Sequence, residues 1–319
     1  MSYSSLQVEA PFFQDVAHGP KGNQAVFVRA EDAVRLRITH WPAAFTSSRA
    51  GTICLFPGRG EPVEKYGRMA HSLSDANFDI VAIDWRGQGL SDRLSIDPMA
   101  GHVGHFDDYQ KDVAALLSFI KTQDLPRPLY MLAHSMGGAI GLRYLMDARL
   151  RSFKAAAFSA PMWGLRLSKN TEMLAHLLGQ GAALIGKSDM IVPRTGKSCY
   201  LTDKSFEENE LTSCPKMWDY MKQQMQAHPE LAIGGPSFGW VDAALVECRA
   251  LATRPSPTIP AYCAYGSDET VVSTQAIAAR MDQWATGKTT LYDGARHEIM
   301  MEADPTQERF AQEVITFFQ

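Results

Sequence analysis

Short apolar runs, each bounded by turn residues, recur along this chain. They are five or six residues long, a length that favours strands buried on both faces of a sheet. The predicted strands are residues 51–56 (GTICLF), 78–83 (FDIVAI), 129–133 (LYMLA), 155–159 (AAAFS) and 261–265 (AYCAY).

Stretches with apolar residues at helical spacing separate these runs. The predicted helices are residues 64–76, 106–122, 137–148 and 307–318. Alternation of strands and helices is typical of an α/β fold, in which a mostly parallel central sheet is flanked by helices on both faces.

The segment 163–235 breaks this alternation, because it has no convincing strand pattern and is rich in Met, Leu and Gln. Ligands of open α/β sheets bind beyond the carboxyl ends of the strands, so we expect this insertion to form a helical cap over a site. The predicted organisation is a core of residues 1–162 and 236–319 with a cap at 163–235.

Composition narrows the class of protein. The 319 residues are 45% hydrophobic and 21% charged, which is enough apolar material for a sizeable core. The net charge is −4 and no basic block is present, so nucleic acid is not expected as the main partner.

The cysteines and the N-terminus bear on the compartment. The five cysteines are scattered and never form a C-x-x-C pair, so we expect reduced thiols rather than disulfides or a zinc site. We recognise no signal peptide and no run of about 18 apolar residues that could span a membrane. The expected location is the cytoplasm, with peripheral contact to the inner membrane face left open.

Residues 132–138 read LAHSMGG and carry the strongest chemical signal. Small residues at 133 and 137 flank Ser135, an apolar strand precedes it and a helical run follows. This pattern is typical of a nucleophile elbow, a sharp strand-to-helix turn that exposes a serine Oγ. The alternative is a tight turn with an incidental serine.

An elbow of this type is followed along the chain by an acid and then by a histidine. His297 lies in a loop between an apolar run and the last helix, which is where the general base is expected. Asp268 and Glu269 follow the preceding strand and compete for the role of the acid. Successive side chains of an extended segment point in opposite directions, so only one should reach His297.

The chemistry also needs two backbone N–H groups to hold an oxyanion. Met136, the residue after the nucleophile, is one predicted donor. The loop 57–61 (PGRGE) should provide the other, and our candidate is the N–H of Arg59.

Taken together, these residues resemble the monoacylglycerol lipase and lysophospholipase branch of the α/β-hydrolase superfamily, and within it the bacterial membrane-associated lysophospholipases. The resemblance extends from residue 51 to the C-terminus, and the cap matches only at its start. The matching stretches are FPGRGEPVEKY, FDIVAIDWRGQGLSDR, GHVGHFDDYQKDV, LAHSMGGAI, SAPMWG and GARHEIMMEAD.

The resemblance implies the α/β-hydrolase fold with a helical cap insertion. It favours Glu269 over Asp268, because the family's acid stands three residues after the small residue that closes its strand, here Gly266. One departure is Pro57-Gly58, where the family usually has His-Gly. The loop 84–91 (DWRGQGLS) is a family hallmark that we interpret as structural bracing of the site.

The implied function is hydrolysis of carboxylic esters of monoacyl lipids through Ser135, His297 and Glu269, without a metal or other cofactor. The implied partner is a small-molecule acyl ester, with peripheral membrane contact through the cap. Acyl transfer or thioester hydrolysis on the same residues, a small-ester esterase, and a non-catalytic binding protein of this fold remain alternatives.

Apolar residues recur near helical spacing in the first part of the cap, and Met162 and Trp163 lie where the chain enters it. One interpretation is that they pack a small core of the cap. The other is that part of this face lines an acyl-chain tunnel or touches the bilayer. The residues are Met173, Leu174, Leu177, Leu178, Leu184 and Ile185.

Overall fold

A nine-stranded sheet forms the centre of the protein in the computed structural model, which describes residues 8–45, 49–147 and 152–319. The order across the sheet is β1-β2-β3-β5-β4-β6-β7-β8-β9. The pairs β1–β2, β2–β3 and β3–β5 are antiparallel, and all other neighbouring pairs, including β5–β4, are parallel. The strands are β1 (Val8–Glu9), β2 (Gln24–Arg29), β3 (Arg35–Trp41), β4 (Gly51–Phe56), β5 (Phe78–Ile83), β6 (Leu129–His134), β7 (Phe153–Ser159), β8 (Ala261–Gly266) and β9 (Gly287–Tyr292).

Helices cover both faces of the sheet. Within β4, Cys54 and Phe56 join the apolar layer that contains α3 and α4, whereas Ile53 and Leu55 join the layer that contains α2 and α10. The helices are α1 (Gln14–Ala17), α2 (Gly67–Asp75), α3 (Tyr109–Thr122), α4 (Met136–Leu145), α5 (Lys169–Leu184), α6 (Tyr200–Asp203), α7 (Pro215–Ala227), α8 (Phe238–Ala252), α9 (Thr274–Asp282) and α10 (Asp304–Phe318).

The predicted fold class is confirmed. The five predicted strands are β4 to β8, with ends that extend by at most two residues. The predicted strands do not include β1, β2, β3 and β9, although the apolar run noted before His297 is the end of β9. Strand β3 lacks a continuous apolar pattern because Arg37 interrupts it. Arg37 is nevertheless buried, since Glu64 and Asp84 each accept hydrogen bonds from its guanidinium at 2.7 Å.

The predicted helices are also present, with different ends. Single 3₁₀ turns, Val63–Tyr66 and Phe106–Asp108, precede α2 and α3. Helix α4 begins one residue earlier than predicted, and the predicted end at Ala148 lies outside the described residues. Helix α10 begins three residues earlier, at Asp304.

The segment 163–235 contains α5, α6 and α7 and takes part in pairing only through isolated bridges. Its first residue, Trp163, is buried against Phe158 and Trp284 of the core. Helix α7 contacts the N-terminal region, because the Tyr220 hydroxyl donates to the carbonyl oxygen of Ala17 at 2.8 Å. The segment 163–235 is therefore anchored on the rest of the protein at two places, at its start through Trp163 and in α7 through Tyr220.

The apolar face of α5 is exposed, which corrects two expectations. Six of the eight residues predicted to pack a core or line a tunnel have 49–88% of their surface exposed. None of these six lines the cavity at Ser135, whereas the buried Met162 does. Packing of a cap core and a tunnel wall are therefore wrong for these residues, because the face points to solvent. Bilayer contact stays a prediction.

No helix in the described part of the chain is long and apolar enough to cross a membrane. All five cysteines are free thiols, and four of them are buried.

Candidate active site

The turn between β6 and α4 holds Ser135 in a strained backbone conformation. Its φ is 49° and its ψ is −117°, which a non-glycine residue adopts only when the surrounding structure enforces it. A Cβ at Gly137 would lie 2.2 Å from the carbonyl oxygen of Phe56. The small residue two positions after the serine is therefore required by the close approach of the α4 and β4 backbones.

Three side chains from different loops form one hydrogen-bonded row. His297 Nε2 lies 2.9 Å from Ser135 Oγ, and His297 Nδ1 lies 2.6 Å from Glu269 Oε2. All three residues are buried. Because an ionised carboxylate only accepts hydrogen bonds, Nδ1 carries the proton and Nε2 is free to accept the proton of the serine hydroxyl.

Glu269, rather than its neighbour Asp268, contacts the histidine. The second oxygen of Glu269 accepts the N–H groups of Val271 at 2.6 Å and Val272 at 3.1 Å. Asp268 is exposed, and its carboxylate accepts the Ser267 hydroxyl at 3.1 Å. Only one of the two carboxylates reaches His297, as the sequence analysis expects, although residues 267–268 form a turn rather than an extended segment.

The electrostatics of the row follow from these contacts. Burial opposes ionisation of Glu269, but the hydrogen bond and charge of His297 and the two N–H groups outweigh it and lower the pKa of the carboxyl. Burial also opposes protonation of His297. The carboxylates of Glu269, Glu298 and Glu61 outweigh that effect and raise the pKa of the imidazole.

In the loop 57–61, the N–H groups on either side of Arg59 are hydrogen-bonded to side chains. The Gly58 N–H donates to Glu61 Oε2 at 2.6 Å, and the Gly60 N–H donates to Gln88 Oε1 at 2.6 Å. Within the described residues, no acceptor pairs with the N–H of Arg59 or of Met136. The two predicted oxyanion donors are thus unpaired beside Ser135 on the wall of one cavity.

Sequence reasoning missed the residues that hold this loop. Gln88 belongs to the loop interpreted as bracing, but its contact with Gly60 could not be read from the motif. Glu61 belongs to the predicted oxyanion loop, but the sequence predicts no contact for its side chain. The Arg59 side chain is also fixed, because both Nη atoms donate to the Gly234 carbonyl oxygen at 3.1 Å. Burial lowers the pKa of its guanidinium to about 10.

A cavity of about 330 Å³ opens at Ser135 and His297. Its volume falls in the usual range for small-molecule sites. Most of its wall is apolar and comes from both the core and the segment 163–235. The apolar lining comprises Met162, Leu165, Leu201, Leu211, Met221, Met225, Ile233, Trp240, Val271 and Val272.

Three buried side chains beside the cavity are close enough to share a cation. They are Glu61, His134 and Glu298, whose ligand atoms lie within 4.8 Å of one another. The Lys65 ammonium already contacts both carboxylates. A positive charge of the protein itself therefore occupies this cluster.

The sheet order, the elbow and the row of side chains define an α/β-hydrolase. The family model described as Hydrolase_4, serine aminopeptidase, S33, matches residues 47–304, and the chain belongs to this family. It is a serine hydrolase.

Curated relatives extend the similarity to nearly the whole chain. Lysophospholipase L2 of Escherichia coli K12 is 31% identical over 312 residues, which cover 93% of this chain and 87% of the relative. A probable lysophospholipase L2 of Haemophilus influenzae is 27% identical over 256 residues, or 78% of each chain.

Solved structures share the fold. A soluble variant of monoglyceride lipase from Saccharomyces cerevisiae, in complex with a substrate analogue, has a TM-score of 0.71 at 20% identity and covers 90% of this chain and 92% of its own. A thermostable carboxyl esterase from Bacillus coagulans, in complex with glycerol, has a TM-score of 0.72 at 17% identity, with 93% and 98% covered.

Proposed function

We propose that this chain hydrolyses the ester of a monoacyl lipid, either a lysophospholipid or a monoacylglycerol, through Ser135, His297 and Glu269. The observation that carries the proposal is the hydrogen-bonded row of these side chains at the mouth of a largely apolar cavity. The relatives named lysophospholipase L2 support the substrate class.

The proposed reaction follows from the geometry of the row. His297 Nε2 takes the proton of Ser135 as the serine oxygen attacks the ester carbonyl. Glu269 holds the tautomer that makes this transfer feasible and stabilises the imidazolium. The N–H groups of Arg59 and Met136 hold the oxyanion. His297 then protonates the leaving alcohol, and water releases the fatty acid from the acyl-enzyme.

The cavity wall supports an acyl chain as the buried part of the substrate. Methionine and leucine side chains adapt to a flexible chain, and burial of each methylene contributes about 0.8 kcal/mol. We assign residues 163–235 as a cap, because they supply Leu201, Met221 and Ile233 to the wall above Ser135.

We further propose that the exposed face of α5 contacts the bilayer that holds the substrate. Leu177 is 61% exposed and Leu184 is 88% exposed, and neither contributes to the cavity. Five Lys and Arg residues but only two Asp and Glu residues lie in 163–199, in a chain of net charge −4. An exposed apolar face in a basic segment suits an anionic lipid surface.

Activity on a panel of esters tests the reaction. Purified protein should release fatty acid from lysophospholipids and monoacylglycerols with higher kcat/KM than from acetyl esters. Ser135→Ala should abolish the release. A wild type that hydrolyses only short esters would contradict the lipid assignment, and fatty acid transferred to added glycerol rather than water would identify an acyltransferase.

Vesicle binding tests the membrane contact. Leu177→Glu should reduce sedimentation with vesicles that contain anionic lipid, and it should leave hydrolysis of a soluble acetyl ester unchanged. Leu291→Glu is the matched control, because Leu291 is 55% exposed on β9, away from α5. Equal binding by both variants would contradict a role for α5.

A further inference from the structure

A cluster of buried charges lies directly behind the oxyanion loop. Glu61, Lys65 and Glu298 are each less than 10% exposed, and we call them the Glu61–Lys65–Glu298 cluster. Lys65 Nζ lies 3.1 Å from Glu61 Oε1 and contacts Glu298 Oε2. The Tyr66 hydroxyl donates to the other oxygen of Glu61.

Glu61 and Lys65 are ionised despite their burial. The Lys65 ammonium, His134 and the Tyr66 hydroxyl outweigh the burial of Glu61 and lower the pKa of its carboxyl. Glu298 and Glu61 likewise outweigh the burial of Lys65 and raise the pKa of its ammonium. A carboxylate and an ammonium therefore stay charged in a site shielded from water.

Stability alone is a poor explanation for such an arrangement. Desolvation of buried ions costs several kcal/mol each, and well-packed apolar residues often replace buried ion pairs without loss. Geometry instead connects the cluster to the reacting groups. Glu61 accepts the N–H of Gly58, the residue before the oxyanion donor Arg59. Glu61 and Glu298 also line the same cavity as His297, and their carboxylates raise the pKa of its imidazole.

We infer that Glu61 is a positioning residue that aims the Arg59 N–H at the oxyanion, and that the carboxyl groups of the Glu61–Lys65–Glu298 cluster stabilise the His297 imidazolium formed during the reaction. This inference rests on the proposed function. Side chains hold the N–H groups of both neighbours of Arg59, those of Gly58 and Gly60, which restricts rotation of the peptide between them. Preorganised donors of this kind contribute most when they need no rearrangement during the reaction.

Titratable groups surround His297 within the described residues. Glu269 contacts Nδ1, and Glu298 and Glu61 raise the pKa of the imidazole from the other side. The His134 ring lies 4.9 Å from the His297 ring, and its Nδ1 donates to the Ser159 carbonyl oxygen at 2.9 Å. The Lys65 ammonium contacts both cluster carboxylates, and His134 Nε2 lies 3.4 Å from Glu61 Oε1.

Charge-removing and length-changing variants separate the two roles. The experiment measures kcat and KM against pH on a soluble short-chain p-nitrophenyl ester, using the full chain. Glu298→Gln should move the acid limb of kcat/KM to lower pH, because a smaller negative potential lowers the pKa of His297. Glu61→Gln should move the limb in the same direction and reduce kcat about tenfold or more, approaching the roughly 10²–10³ loss for a missing oxyanion donor.

Glu61→Asp should leave the acid limb near its wild-type position but reduce kcat, because the shorter side chain keeps the charge and no longer reaches Gly58. KM should change little in all three variants. Glu247→Gln is the control, since Glu247 is a buried carboxylate that pairs with Arg143 away from the cavity. It should lower the melting temperature and leave kcat and the acid limb unchanged.

Acid limbs that coincide with the wild type in both glutamine variants would overturn the electrostatic role. A normal kcat in Glu61→Asp would overturn the positioning role. If Glu61→Gln does not fold, Glu298→Gln and Glu61→Asp still decide each role. Wild-type activity that survives Ser135→Ala would instead refute the proposed function.

Discussion

Replacement of Glu269 by glutamine tests the orientation of the histidine. The amide is nearly isosteric, and its carbonyl oxygen can keep the N–H groups of Val271 and Val272, which lie 2.6 and 3.1 Å from the carboxylate. Its NH₂ group would then face His297 Nδ1, which must become the acceptor. The ring proton moves to Nε2, where it points at Ser135 Oγ and blocks proton transfer.

The expected loss in kcat is about 10⁴, the scale measured for the same tautomer reversal in a serine protease. That loss corresponds to about 5.4 kcal/mol of transition-state stabilisation, at about 1.36 kcal/mol per factor of ten. Asp268→Asn is the matched control, because its carboxylate is exposed and contacts only the Ser267 hydroxyl. It should stay within about twofold, as for other surface substitutions.

The assay is steady-state hydrolysis of p-nitrophenyl butyrate, with the melting temperature of each variant measured in parallel. Both variants should fold. A large loss of kcat in Asp268→Asn would refute the assignment of the acid. A Glu269→Gln variant that keeps more than a tenth of wild-type kcat would also refute it. A normal melting temperature for Glu269→Gln would show that the lost activity is chemical rather than structural.

Other predictions test the nucleophile, the base, the elbow and the cavity. Ser135→Ala should lose about 10⁶ in kcat and should not react with a fluorophosphonate probe. The kcat/KM should fall as the pH drops below the raised pKa of His297, because only the neutral imidazole accepts the serine proton, and a pH profile with its midpoint below the ordinary imidazole value would contradict this. Gly137→Ala should lower the melting temperature, with a destabilisation of about 1–3 kcal/mol, because its Cβ would lie 2.2 Å from a backbone oxygen. Each added acyl methylene should raise kcat/KM by up to about fourfold until the cavity is filled, and a flat profile would exclude an acyl site.

The sequence predicted the centre of the sheet better than its antiparallel edge. Strands β4 to β8 are buried on both faces, so continuous apolar runs identify them. Strand β3 is equally ordered, but Arg37 is neutralised by Glu64 and Asp84, which are 27 and 47 residues away along the chain. A local pattern cannot show that a charge has distant partners.

Helix α5 shows the same limit for periodicity. The spacing of Met173, Leu177 and Leu184 correctly indicates residues that share a helical stretch, and 169–184 is helical. Periodicity does not specify what the shared face contacts. The structure turns this face to solvent, and its other side packs near α8, where Gly179 approaches Asp242 so closely that a Cβ would lie 2.6 Å from it.

In the candidate site, too, some residues can be predicted from the sequence and others cannot. Ser135, Glu269 and His297 each follow a strand of the parallel part of the sheet, and the carboxyl ends of such strands meet at one edge, so chain order alone brings them together. Glu61 and Gln88 contact the predicted oxyanion loop with side chains that lie on loops, where the direction of a side chain depends on the packing of the whole edge. Their contacts with Gly58 and Gly60 leave Arg59 as the unpaired donor between them. A motif can therefore identify the candidate reacting groups, whereas the side chains that hold the loop beside them become visible only when its hydrogen bonds are traced.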